Sequence, residues 1–327
     1  MADILSLLKE TGAYKTLYGD KKRDTLSHAY LFICPDGHYL KEYLKIFAKL
    51  ICCESDTPCL SCRACRLIDA ENYSDVLIYP KKDTAVLSED VNSLIEESYL
   101  KPIENQKKIF ILSNAETMNA SAQNKLLKTL EEPPKNVHIL IGATSEFPLL
   151  STVKSRVKKL EIPAFSRERL FEALVEECPD KDKLLSAISC GDGTLGKAKA
   201  LYGDENLSAA IDLAVDLIVN MKTSAQILEY SVKIFTLKIE LTEFFSVLEL
   251  LFRDLLVLRQ GKGELALNNK ALSEIKTAEG YNSGAIIHAL EKITESRQRK
   301  KFNQNGTMLI EWLLFQILEG KYKWQKL

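Results

Sequence analysis

Five of the chain's eight cysteines fall between Cys52 and Cys65. Cys59, Cys62 and Cys65 stand at intervals of three, close enough for their thiols to converge on one ion, with Cys53 or Cys52 six or seven residues earlier as a fourth donor. Four thiolates so spaced suit tetrahedral zinc, which holds sulfur without redox chemistry and would here close the loop of Ser55, Asp56, Thr57 and Pro58. An iron–sulfur cluster would more naturally use a further cysteine shortly after the third, where Asp69 stands. Four protein ligands leave no open position, so the expected metal is structural. The competing interpretation is a set of buried or redox-active thiols without metal.

A second segment has the place of a phosphate-binding loop but not its residues. Such a loop follows the first strand of a parallel sheet, brings glycine backbone N–H groups against phosphate, and supplies a lysine and a hydroxyl. Here Cys34-Pro35-Asp36-Gly37-His38-Tyr39-Leu40-Lys41-Glu42 offers flexibility only at Gly37. Tyr39 adds bulk, Leu40 stands where the lysine belongs, and Asp36 and Glu42 would repel phosphate. After the later strand Lys108 to Leu112, where such ATPases place acids for magnesium and water, Ser113 and Asn114 follow, with Glu116 expected past the strand end.

Short apolar runs position these segments. Ala29 to Ile33, Asp75 to Tyr79, Lys108 to Leu112, Val137 to Thr144 and Val157 to Ile162 read as strands with helical patterns between most of them, which predicts a mostly parallel sheet wrapped by helices. A helix from about Asn119 to Leu130 is capped by Asn119 and must stop before Pro133-Pro134. Beyond Pro163 the strand signal ends. Two short helical patterns flank Ser189 to Gly193, and from about Leu207 the chain is helical again. Leu241, Phe244, Phe245, Leu248, Leu251, Phe252, Leu255 and Leu256 follow one helix face, and a last apolar helix covers about Thr307 to Leu318.

With 327 residues the chain has room for two or three cores, and 46% hydrophobic with 27% charged residues is a globular mixture. A net charge of −1 excludes global attraction to nucleic acid. No apolar run is long enough to span a bilayer and no leader pattern opens the sequence, so the expected location is cytoplasmic, without a membrane partner.

Ser27-His28-Ala29-Tyr30-Leu31-Phe32, the cysteine insert, the run from Ala122 to Pro134 (AQNKLLKTLEEPP) and Lys154-Ser155-Arg156 together resemble bacterial DNA polymerase III clamp-loader subunits of the AAA+ class. The lost loop and acids place the chain with that family's delta-prime-like members rather than with the ATP-binding gamma and tau subunits. The resemblance implies an α/β AAA+ module over residues 1–163 with a zinc module at about 52–66. A small helical lid at 164–206 and an all-α collar at 207–327 would follow. It implies Cys53, Cys59, Cys62 and Cys65 as the zinc ligands, with Cys52 the lesser alternative, and no ATP bound by this chain around Gly37, Leu40, Ser113 and Asn114. In the motif Ser155-Arg156-Val157, valine replaces the family's cysteine. Arg156, supported by Ser155, would reach the ATP of a neighbouring subunit. Without the resemblance Arg156 is an ordinary solvated or salt-bridged arginine among Lys154, Lys158 and Lys159.

The implied partners are gamma- or tau-like ATPase subunits and a delta-like subunit, with the sliding clamp and primed DNA met through the complex. The chain would then be an accessory subunit of the DNA polymerase holoenzyme with no ATPase of its own. Two further functions compete: a divergent gamma- or tau-like ATPase, and a stand-alone zinc-dependent nucleic-acid-binding module. Leu251 to Leu256 and Asn303-Gln304-Asn305 with Leu309-Ile310-Glu311 resemble the collar. Thr144-Ser145 is expected to cap a strand end, Lys197 to be a remnant of a basic sensor, and Arg297, Arg299, Lys300 and Lys301 to form a solvated face.

Overall fold

The computed structural model describes residues 2–82, 85–263, 269–301 and 304–323. Asn303 lies outside them, as does the side chain of Lys301. The chain divides into two compact units: residues 1–173 with Thr194–Gly196, and residues 174–193 with 197–327.

The first unit begins with α1 (Ala2–Lys9) and α2 (Gly12–Lys22). It then builds a five-stranded sheet from β1 (Ala29–Ile33), β2 (Val76–Tyr79), β3 (Lys108–Leu112), β4 (Val137–Ala143) and β5 (Lys158–Glu161). The spatial order is β2-β3-β4-β1-β5, every neighbouring pair parallel. Both faces are covered, so the central strands must be apolar without alternation. All residues of β3 and β4 are buried, as are the first four of β1. The edge strand β5 buries only Leu160, which is why its sequence signal is faint. Each predicted strand lies within a residue of the observed one at either end.

Two helices hold the loop after β1 and the cysteines, α3 (Leu40–Cys52) and α4 (Arg63–Asp69), while α5 (Ser88–Ser98) follows β2. Helix α3 lies close on the sheet because Gly142 leaves room; a Cβ there would come 2.7 Å from Leu44 Cδ1 and 3.0 Å from Leu40 Cδ1. Phe47 of α3 stacks on Phe32 of β1 with ring centroids 4.4 Å apart. Helix α6 (Ala120–Glu131) starts as expected: the Asn119 side chain accepts the Ala122 N–H at 2.8 Å. The short α7 (Ser151–Lys154) then leads into β5, and α8 (Arg167–Leu174) follows it.

The second unit is helical among its described residues. It contains α9 (Lys181–Cys190), α11 (Leu207–Asn220), α12 (Ser224–Thr236), α13 (Leu241–Arg259), α14 (Asn269–Ile275), α15 (Ser283–Lys301) and α16 (Gly306–Lys323). Most of α10 (Leu195–Gly203) belongs to it as well. The predicted face of α13 forms its core: Phe244, Phe245, Leu248, Leu251, Phe252 and Leu255 are buried, and Leu256 is partly so. Phe252 meets Tyr281 edge to face at 5.5 Å.

Candidate functional site

Helix α3 ends where the cysteines begin. Cys52 is its last residue and points into the core, where burial pushes its thiol up to about 12. Cys53 is already extended, at φ −67° and ψ 134°, and its sulfur turns to Cys59, Cys62 and Cys65. Their four Sγ atoms lie within 4.8 Å of one another, and Cys53 and Cys62 are 4.0 Å apart. A zinc ion with bonds of about 2.3 Å would hold its sulfurs about 3.8 Å apart, so the cluster needs only a small contraction. Of the two candidates left open by spacing, the geometry brings Cys53 to the cluster and leaves Cys52 out.

Local hydrogen bonds prepare the sulfurs. Leu60 adopts a left-handed φ of 60°, which tightens the turn so that the Cys62 N–H donates to Cys59 Sγ at 3.3 Å. Cys62 caps α4, its sulfur accepting the Cys65 N–H at 3.4 Å. The N–H groups of Ser61 and Cys62 bring the Cys59 thiol down to about 6, whereas burial pushes Cys62 and Cys65 up. A divalent cation would displace the remaining protons, since a coordinating thiol is deprotonated outright. The donor set therefore fits a closed, structural metal.

Asp69, which stands in place of a further cysteine, is paired with the fully buried Lys49. Lys45 donates to the Asp69 carbonyl at 3.0 Å and to Glu42 at 3.1 Å, tying α4 to α3. From α2, Lys21 Nζ donates to the carbonyls of Cys53 and Ser55, both at 2.8 Å. Sequence had singled out none of these three lysines, because their partners across the loop lie 20 to 34 residues away.

The loop after β1 is closed. Leu40 is buried against Gly142, so an apolar side chain fills the place expected for a lysine. Asp36 does not face solvent; it is 3% exposed and its carboxylate accepts the Tyr43 hydroxyl at 2.9 Å and the Tyr39 N–H at 3.2 Å. Ser113 is buried and donates to the Tyr79 carbonyl at 3.1 Å, while Asn114 is left-handed at φ 57°. Glu116 lies in a short 3-10 turn past β3, and Thr144 donates to its carboxylate at 2.5 Å. Thr144 thus bonds to an acid rather than capping its own strand.

Arg156 follows α7 at the entrance to β5, its side chain 33% exposed. The guanidinium pairs with Glu131 at 2.6 Å and donates to the Thr152 carbonyl at 2.8 Å and to Ser155 Oγ at 3.3 Å. His28 donates through Nε2 to the Arg156 carbonyl at 3.1 Å.

The remaining cations of interest are engaged within the second unit. Lys197 pairs with Asp192 at 2.5 Å and donates to Ser246 at 3.2 Å. Arg297 pairs with Glu249 at 2.7 Å, and Arg299 pairs with Glu295 while lying 3.9 Å over the Trp312 ring.

The family model described as DNA polymerase III, delta subunit, matches residues 9–166, which holds the cysteine cluster, the closed loop and Arg156. Subunit delta' of DNA polymerase III from Bacillus subtilis is 26% identical over 316 residues, 94% of this chain and 95% of its own. Nearly the whole chain is thus similar to a delta-prime subunit of the DNA polymerase III clamp loader. A second delta-prime relative, from Haemophilus influenzae, is 29% identical over 169 residues, half of this chain and 51% of its own length. The tau/gamma subunit of the same organism is 29% identical over 177 residues, but that match spans only 25% of it. The Bacillus subtilis delta' match is thus nearly full length, whereas the match to tau/gamma is partial. No described helix is long and apolar enough to cross a membrane.

Proposed function

We propose that this chain is a non-hydrolysing, delta-prime-like subunit that helps load the sliding clamp onto primed DNA. It assembles with gamma- or tau-like ATPases and a delta-like subunit in the cytoplasm, and presents Arg156, supported by Ser155, to a neighbour's ATP. Residues 1–163 act as the AAA+ module, 164–206 as the lid and 207–327 as the collar. Cys53, Cys59, Cys62 and Cys65 hold one structural zinc, which staples the loop between them.

The observation that carries the non-hydrolysing role is the state of the loop after β1. Its lysine position holds a buried leucine packed at Gly142, and its Tyr39 N–H serves Asp36. A phosphate entering there would meet a carboxylate without a cation to offset it. Calorimetric titration of ATP and Mg²⁺ into the purified chain tests this: no saturable heat is expected. Binding followed by turnover in the isolated chain would favour the divergent ATPase, which has Glu116 and Thr144 in its favour at the end of the sheet. The nucleic-acid-binding alternative is opposed by a net charge of −1 and by the pairing of Arg297 and Arg299 with acids.

A further inference from the structure

We propose that the Asp36 carboxylate is a built-in anion, occupying from within the chain the position where a phosphate-binding fold presents its donors to a phosphoryl group. The inference deepens the non-hydrolysing role and rests on it.

Three groups donate to Asp36. Tyr39, at the N-terminus of α3, gives its N–H to Oδ1 at 3.2 Å, and Tyr43, one turn on, gives its hydroxyl to Oδ2 at 2.9 Å. The third donor is the Gly196 N–H, 2.9 Å from Oδ2, in the first turn of α10. Gly196 packs in the same compact unit as Asp36. The N-terminus of the 13-residue α3 and the Gly196 N–H therefore converge on one carboxylate.

The first N–H groups of a helix have no partner within it and sit at the positive end of its dipole, which is why such ends bind phosphate. Such an end, joined by the Gly196 N–H and the Tyr43 hydroxyl, favours an anion. In a nucleotide-binding relative the ligand would supply it; here the chain does. Gly196 makes the approach possible, because a Cβ there would fall 2.6 Å from Asp36 Oδ1 and 2.6 Å from His38 Cβ. Any side chain at 196 would push the donor away from the carboxylate.

Simple decay of a nucleotide site and replacement of its anion make different predictions. If the site has merely decayed, removing Asp36 costs packing that no added ion restores. If Asp36 replaces the phosphoryl group, removing it leaves an unmet demand for negative charge that a small anion can fill.

Asp36→Ala in the full chain tests this, with thermal unfolding followed in chloride, acetate and inorganic phosphate at matched ionic strength and pH. Wild type in the same buffers corrects for general salt effects. The variant should lose about 5 °C or more in chloride and regain at least half of the loss, saturably, in acetate or phosphate. Should Asp36→Ala not fold in chloride, refolding yield across the three anions is the readout, with recovery expected in acetate or phosphate. Asp36→Asn fills the same space and turns an N–H₂ toward the donors, so it should lose stability without rescue by any anion. An equal loss of Asp36→Ala in all three anions, or none in any, overturns the inference. ATP binding and turnover by the isolated wild type would defeat the non-hydrolysing role and the inference with it, whereas failed anion rescue in a chain that binds no ATP would defeat the inference alone.

Discussion

Replacing Arg156 separates a residue that serves a neighbour from one that serves its own fold. Its partner Glu131 is 2.6 Å away, but the two side chains are 33% and 49% exposed. An ion pair so open to solvent contributes about 0.2–1 kcal/mol. The bonds to Thr152 and Ser155 are equally near the surface. Arg156→Ala should therefore lower stability by about 1 kcal/mol at most, a shift of roughly 2–4 °C in Tm for a unit of this size. It should leave zinc content unchanged.

A trans-acting arginine stabilises charge on the transferring phosphoryl group and contributes roughly 10³–10⁵ in rate at the site it serves. The assay is single-turnover ATP hydrolysis by a complex reconstituted with tau- or gamma-like and delta-like subunits, clamp and primed DNA. One kinetic phase should slow by roughly three orders of magnitude or more, while sites served by other subunits keep their rate. Arg156→Lys should recover little, since an ammonium lacks the planar fork that grips two oxygens. If both variants assemble normally and every phase keeps its wild-type rate, Arg156 is an ordinary surface arginine and the reasoning fails.

Glu131→Gln releases Arg156 from its pair, so the same phase should accelerate, by no more than about fivefold given the worth of an exposed pair; a slower phase would show that Glu131 instead aligns the guanidinium. Metal analysis should find about one zinc per chain, lost in Cys59→Ser and kept in Cys52→Ser. Leu40→Lys should not create ATP binding and should destabilise the chain by about 3 kcal/mol or more, because it buries an ammonium against Gly142. Asp75 is fully buried and accepts the N–H groups of Ile103, Glu104 and Asn105 at 2.7, 2.7 and 2.6 Å, so Asp75→Ala should cost about 3 kcal/mol in denaturant unfolding. Burial holds the His138 pKa below its ordinary value, so below about pH 6.5 the unfolded chain takes up a proton that the folded chain refuses, and stability falls. His138→Gln should flatten the decline in Tm between pH 7 and pH 5.5.

The features legible in the sequence were those with local spacing. The five strands, the Asn119 cap and the apolar face of α13 each rest on neighbours within a few residues, and each is found. The cysteine cluster was legible for the same reason, yet spacing left Cys52 and Cys53 open. What separates them is where α3 stops, a matter of backbone angles at one residue. Asp36 was read as a source of repulsion because its partner Gly196 is 160 residues away. Asp75, Lys21 and Lys49 were missed likewise, since a charge in sequence does not show whether burial will find it a partner.

The motifs at residues 27–32 and 154–156 acquire a common meaning once the strand order is known. β1 and β5 are parallel neighbours with Tyr30 opposite Lys158. Counting back two residues on each strand brings His28 level with Arg156, where the ring donates to the arginine's carbonyl at 3.1 Å. On the other side, His138 of β4 donates through Nδ1 to the Ser27 carbonyl at 2.8 Å. Two histidines without a catalytic or metal pattern thus fix the backbone from β4 through β1 to the residue carrying the guanidinium. None of these bonds touches the loop after β1. The support beneath Arg156 is therefore independent of the loop after β1, so the proposed loss of a phosphate site in this chain would leave the guanidinium where it is.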